Sequence, residues 1–119
     1  MIFSTGDIIL GTDRRPVTAL HPILFIREGD SPDFFVGVML THSPNYGNIP
    51  LPEEYFQNLT DYDPADNHFV RSYLLKKNEW GPYRKVGEVS SAGIEYVGAN
   101  IDLKNPIIWD GKSMVPNSI

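Results

Sequence analysis

The sequence predicts a mainly β domain with a helix near its C-terminal end, and three observations carry that expectation. Short apolar runs at Ile8–Leu10, Ile23–Ile26 and Phe34–Leu40 are separated by stretches rich in Gly, Pro and Asp. Ten glycines and ten prolines in 119 residues supply the turns such a pattern needs. Helical spacing stands out in one late stretch, where Ile94, Val97 and Ile101 recur at i, i+3 and i+7 behind Ser90 and Ser91. Five or six short strands followed by one helix make, by architecture, a small β-barrel.

Taken in order, Ile8–Leu10 is entered through Gly6-Asp7 and left through Gly11. The polar connection GTDRRPVTAL follows, with 17–20 extended. HPILFIREGDSPDFFVGVML reads as a hairpin whose arms are Ile23–Ile26 and Phe34–Leu40, with REGDSPD as the turn. The arms are nearly continuous in apolar residues, so both of their faces should be buried. Pro22 stands at the start of its arm, where a missing N–H does least harm. NIPLPEEYF predicts a short strand and then a helical turn at 53–56. QNLTDYDPADN is an acidic loop, HFVRSYLL alternates as one strand, and KKNEWGPYRK turns the chain. Ser90 or Ser91 caps the helix, which Gly93 and Gly98 limit to about three turns. Residues 1–119 form one domain, with 105–119 as a tail that packs on it or frays, Trp109 folding back.

Composition narrows the function. The formal net charge is −5, from 10 Lys+Arg against 15 Asp+Glu, which argues against a protein that tracks phosphates over a broad surface. A local basic groove is still compatible with it, because Arg71, Lys76, Lys77, Arg84 and Lys85 concentrate positive charge in one segment. Cysteine is absent, so disulfides and thiolate metal sites are excluded. His21, His42 and His68 have no zinc spacing, and the Asp61–Asp66 loop lacks the terminal Glu of a calcium loop. No metal and no cofactor are expected. MIFSTGDIILG lacks a basic start, and no run reaches the roughly eighteen apolar residues of a membrane span, so the expected location is the cytoplasm. Neither a nucleophile elbow nor a glycine-rich phosphate loop is present.

The segments TGDIIL, HPILFI, FVGVMLTHSP, FVRSYLLKK and KVGEVSSAGIEYV follow one another as they do in PemK/MazF-type toxins, and the chain resembles that family over residues 5–98. The resemblance implies an SH3-like barrel that dimerises with itself, is held by a cognate antitoxin, and cleaves single-stranded RNA without a metal. In that family an Arg from an Arg-Pro step and a Thr at a strand end carry the chemistry. The Thr corresponds to Thr41, with Ser43 on the same face. The Arg corresponds either to His21, if HPILFI is the equivalent strand, or to Arg15, if RRPVTAL is. The first gives the more natural hairpin to Thr41. The acidic balance and the short connection between Leu10 and His21 depart from the family pattern.

Cleavage of this kind needs a base for the ribose 2′-OH, an acid for the leaving 5′ oxygen and donors for the phosphorane. Imidazole suits either proton role, whereas guanidinium supplies charge only. The catalytic candidates are therefore His21, Thr41, Ser43 and Arg15, and those for binding RNA or a partner are Arg14, Arg71, Lys76, Lys77 and Trp80. His42 should face away from Thr41 along the strand, and His68 reads as a turn residue beside Asp66. The alternative is a barrel of the same type that has lost its chemistry at the Arg-to-His step and serves as a binding module.

Overall fold

The strands are laid down in near-sequential antiparallel order, and the pairing explains why their sequences are apolar on both sides. The computed structural model describes residues 3–12 and 20–109 of the chain. Within them, β1 is Asp7–Gly11, β2 His21–Glu28, β3 Phe34–Met39, β4 Ile49–Pro50, β5 Phe56–Gln57, β6 His68–Phe69, β7 Ser72–Lys76, β8 Arg84–Val89 and β9 Ile107–Ile108. The helix α1 spans Ser91–Asn100, and single 3-10 turns occupy Glu53–Tyr55 and Lys77–Glu79. Seven strands form one sheet in the order β5-β8-β1-β2-β3-β7-β9, antiparallel except where β9 joins β7 in parallel. The remaining two, β4 and β6, pair with each other. No helix of the described residues is long and apolar enough to cross a membrane.

Period-two alternation sorts the central strands onto two cores. Ile8, Leu24, Ile26, Val36, Val38 and Leu40 face a cluster completed by Leu51, Phe69 and Val97. Ile9, Ile23, Phe25, Phe35 and Met39 face the other side, where Tyr73, Leu75, Trp80 and Trp109 cover them. The expectation that both hairpin faces are buried is met, since Ile23, Leu24, Phe35 and Val38 are all fully buried.

Several expectations are corrected. HFVRSYLL is not one strand: pairing breaks at Val70 and Arg71, leaving β6 and β7. Among the described residues nine strands stand where five or six were expected, because β4, β5, β6 and β9 are two residues each and have no period to read. The helical turn expected at 53–56 is a single 3-10 turn over Glu53–Tyr55, and the residue after it, Phe56 of β5, pairs with Val89. Arg84 and Lys85 belong to β8 and not to a turn. The mainly β expectation is met, and among the described residues the seven-stranded sheet ends in β5 and β9 with no closed barrel found. Register shifts in the β1–β8 and β2–β3 ladders bend it locally. Residues 17–19 of the expected extension and 110–119 of the tail lie outside the described residues. Trp109 does fold back and is buried.

Helix α1 begins where the sequence places it. The Ser90 Oγ accepts a hydrogen bond from the Gly93 N–H at 3.2 Å. Gly93 is required by packing: a Cβ there would stand 2.4 Å from Val89 Cγ1 and 2.8 Å from Tyr55 Cβ. Its place inside the helix, costly for propensity, lets α1 lie close on the end of β8.

Candidate functional site

The strand ends at one edge of the sheet set three polar residues side by side. The Leu40 N–H donates to the Pro22 carbonyl at 2.9 Å, extending the β2–β3 register beyond Ile23↔Met39. One residue further on, that register puts His21 across from Thr41. On its other flank Thr41 pairs with His68 in an isolated antiparallel bridge, Thr41 N–H to His68 O at 2.9 Å and His68 N–H to Thr41 O at 2.7 Å. Directly opposed residues share a face and stand roughly 5 Å apart at Cβ. Carrying the β2–β3 register one residue on and adding the Thr41–His68 bridge sets His21, Thr41 and His68 in a row, with the two histidine Cβ atoms roughly 10 Å apart and Thr41 between them. All three are half-buried. The neighbours Leu40 and Phe69 point into the first core, which puts the row on the opposite, aromatic face.

Each member of the row is held differently. The His21 ring meets Trp80 and Trp109 edge-on, with centroids 5.7 and 6.2 Å away. Trp109 in turn packs at 4.9 Å on Tyr73 and 6.0 Å on Trp80. These contacts fix the imidazole plane through packing, an aromatic wall built by β7, β9 and the turn between β7 and β8. The Thr41 Oγ1 accepts from the Ser43 N–H at 3.2 Å, an ordinary strand-end turn that leaves its own O–H free to donate. The His68 Nδ1 lies 2.8 Å from the Asp66 carbonyl oxygen. A carbonyl only accepts, so Nδ1 carries the proton and Nε2 is the lone-pair nitrogen of the neutral ring.

Around the row, the sequence candidates fare unequally. Ser43 uses its Oγ to accept from the Asn45 N–H at 3.3 Å, and its carbonyl accepts from Asn48 Nδ2 at 2.9 Å, so it shapes the turn. His42 is exposed, as its position one residue past Thr41 predicts, with Nδ1 2.8 Å from the Ala65 carbonyl oxygen. Arg14 and Arg15 lie outside the described residues. Trp80 is buried in the aromatic wall, and its Nε1 has no acceptor among the described residues. With Lys76, Glu79, Ile108 and Trp109 it lines a cleft of about 200 Å³ next to that wall.

The basic segment is largely neutralised within the fold. Lys77 pairs with Glu28, Arg84 with Asp61 at 3.7 Å, and Lys85 with both Asp7 at 3.1 Å and Glu88 at 2.8 Å. Arg71 is half-buried, next to the break between β6 and β7, while Lys76 is exposed. The Lys85 ion network lies in a larger, polar cleft of about 420 Å³ beside the start of α1. There Lys85, Asn58 and Gln57 all donate to Glu88 and hold its carboxyl down at about 2, while Glu88 and Asp7 push Lys85 upward. With both carboxylates and the ammonium satisfied by one another, that cleft is a strut between β1 and β8.

No group of three or more His, Asp or Glu able to hold a metal ion occurs among the described residues. Sequence reasoning found His21 and Thr41 and set His68 aside. The missed signal is the alternation of HFVRSYLL: with Phe69 in the core, His68 had to emerge on the opposite face, as Thr41 does after Leu40. Comparison with known proteins finds no matching family model, no matching curated protein and no matching solved structure.

Proposed function

We propose that the chain is a metal-independent endoribonuclease acting on single-stranded RNA, with the row His21–Thr41–His68 as its chemistry. The observation that carries the reading is the Thr41–His68 bridge beside the β2–β3 register, which supports an acid, a base and a hydroxyl on one half-buried face. In the step proposed, the His68 Nε2 accepts the proton of a ribose 2′-OH as that oxygen bonds to phosphorus. The P–O5′ bond breaks, and a protonated His21 gives its proton to the departing oxygen. The Thr41 O–H donates to a non-bridging phosphate oxygen. A base and an acid on opposite sides of one phosphate match the in-line geometry of this displacement.

Pure protein in excess chelator should release fragments ending in 2′,3′-cyclic phosphate. His21→Ala, His68→Ala and Thr41→Ala should each lower the rate by roughly 100-fold or more, the scale of a positioned proton-transfer group. Cleavage that survives all three changes removes the site. From the PemK/MazF resemblance the same reading takes a cognate antitoxin as partner, a homodimer as the working form and the cytoplasm as its place.

A specific observation favours a second reading. The net charge is −5, and among the described residues Lys77, Arg84 and Lys85 are engaged in ion pairs, which weakens the attraction of this segment for a polyanion. The same face would then be a binding module, retaining a ligand without turning RNA over. Binding of RNA or a partner that Trp80→Ala weakens, with no cyclic phosphate formed, is its signature.

A further inference from the structure

We propose that Asn67 is a positioning residue for His68: its buried side-chain amide fixes the Asp63–Asp66 turn, and the turn's last carbonyl holds the imidazole as its Nδ1–H tautomer. The catalytic consequence rests on the endoribonuclease reading, whereas the tautomer does not.

Asn67 is one of the buried polar residues, only 1% exposed, and both its Nδ2 donors and its Oδ1 acceptor are engaged within one loop. The Nδ2 group donates to the Asp63 carbonyl at 2.9 Å and to the Ala65 carbonyl at 3.3 Å, while Oδ1 accepts from the Tyr62 hydroxyl. Its backbone carbonyl accepts from the Leu51 N–H at 2.7 Å, tying the loop to the core. The amide cannot be turned over, because both atoms facing Nδ2 are carbonyl oxygens and would meet Oδ1 with no proton between them.

Tyr62 keeps this arrangement through alkaline pH. Burial, with the nearby Asp63 charge, pushes its phenol well above the ordinary range, so it remains an O–H donor. Asp66 is thereby held at φ +54°, a left-handed conformation uncommon outside Gly and Asn, and its carbonyl turns back toward the ring two residues on. A free neutral imidazole in water prefers the proton on Nε2. The Asp66 carbonyl reverses that preference and presents Nε2 as a base. The same loop anchors His42 through the Ala65 carbonyl that Asn67 also holds.

The test is long-range 1H–15N correlation NMR of the full chain above the imidazole titration, with circular dichroism to establish folding. His68 in the wild type should show a protonated Nδ1 and a bare Nε2. In Asn67→Asp, which loses both Nδ2 donors, it should move toward the Nε2–H form. Cleavage of RNA should fall by roughly 10- to 100-fold in kcat, the usual weight of an outer partner of a functional histidine. A folded Asn67→Asp with the His68 tautomer unchanged overturns the proposal. Should that variant fail to fold, Tyr62→Phe decides: removing the hydroxyl frees Oδ1, and an unaltered His68 spectrum would overturn the proposal equally. A tautomer that shifts as expected in a protein that cleaves no RNA supports the positioning role and removes the endoribonuclease reading instead.

Discussion

Thr41 and His42 are adjacent in the chain and belong to different faces of it. His42→Ala should therefore leave any cleavage rate within about twofold, as an exposed surface change does, whereas on the proposed reading His68→Ala lowers it roughly 100-fold. Glu88 titrates far from that site. Its folded pKa of about 2 lies below the usual carboxylate value, so the ionised form stabilises the fold above the unfolded pKa, and that contribution is lost as pH falls from about 4.5 through about 2. Chemical denaturation of the wild type and Glu88→Gln across that window should show a stability difference at neutral pH that closes as the acid end is reached. A difference independent of pH would remove the carboxylate from the account.

At the scale of elements, α1 is held by its cap and by close approach. Ser90→Ala should cost about 1 kcal/mol in urea denaturation, the usual value of an N-cap side chain. Gly93→Ala sets two effects against each other. Helix propensity favours Ala by about 1 kcal/mol. The added methyl would meet Val89 Cγ1 at 2.4 Å and Tyr55 Cβ at 2.8 Å, inside contact distance, and overpacking of this kind costs typically 1–3 kcal/mol. The second effect should win, so Gly93→Ala destabilises; a stabilised variant would mean that α1 can lift from β8. The two-residue strands need a different explanation. β4, β5, β6 and β9 are extended because a longer neighbour or a loop pins them, as Phe56 is pinned by Val89 and Ile107 by Tyr73.

Over the whole molecule, one sheet separates two cores of unlike character. The α1 side is mainly aliphatic, built from Ile, Leu and Val, whereas the other is closed by Trp80, Trp109 and Tyr73. Trp109 directly follows β9, the last described strand, and is buried on the aromatic side. Trp109→Ala should lower stability by roughly 3–5 kcal/mol, as large aromatic truncations in cores do. It should also loosen His21, whose ring rests on it, so the imidazole resonances of His21 should broaden. A variant as stable as the wild type would make β9 a passive edge.

Much of this molecule follows from local pattern. The central hairpin, burial on both of its faces, the Ser90 cap and the extent of α1 are written in apolar runs and punctuation that act over a few residues. The same local reasoning reached His21 and Thr41, one at each strand end. It could not reach their neighbour. His68 joins the row only because β6 leaves the line of β7 at Val70 and Arg71 and His68 pairs with Thr41, 27 positions earlier in the chain. Nor could it reach the burial of Asn67 or the neutralisation of Lys77, Arg84 and Lys85, which depend on which residues the fold brings opposite them. Period and capping are properties of neighbours in sequence, so the sequence alone determined the central hairpin and the helix. Register, pairing across long loops and the charge left over after folding are properties of neighbours in space, and only the tertiary structure decided them.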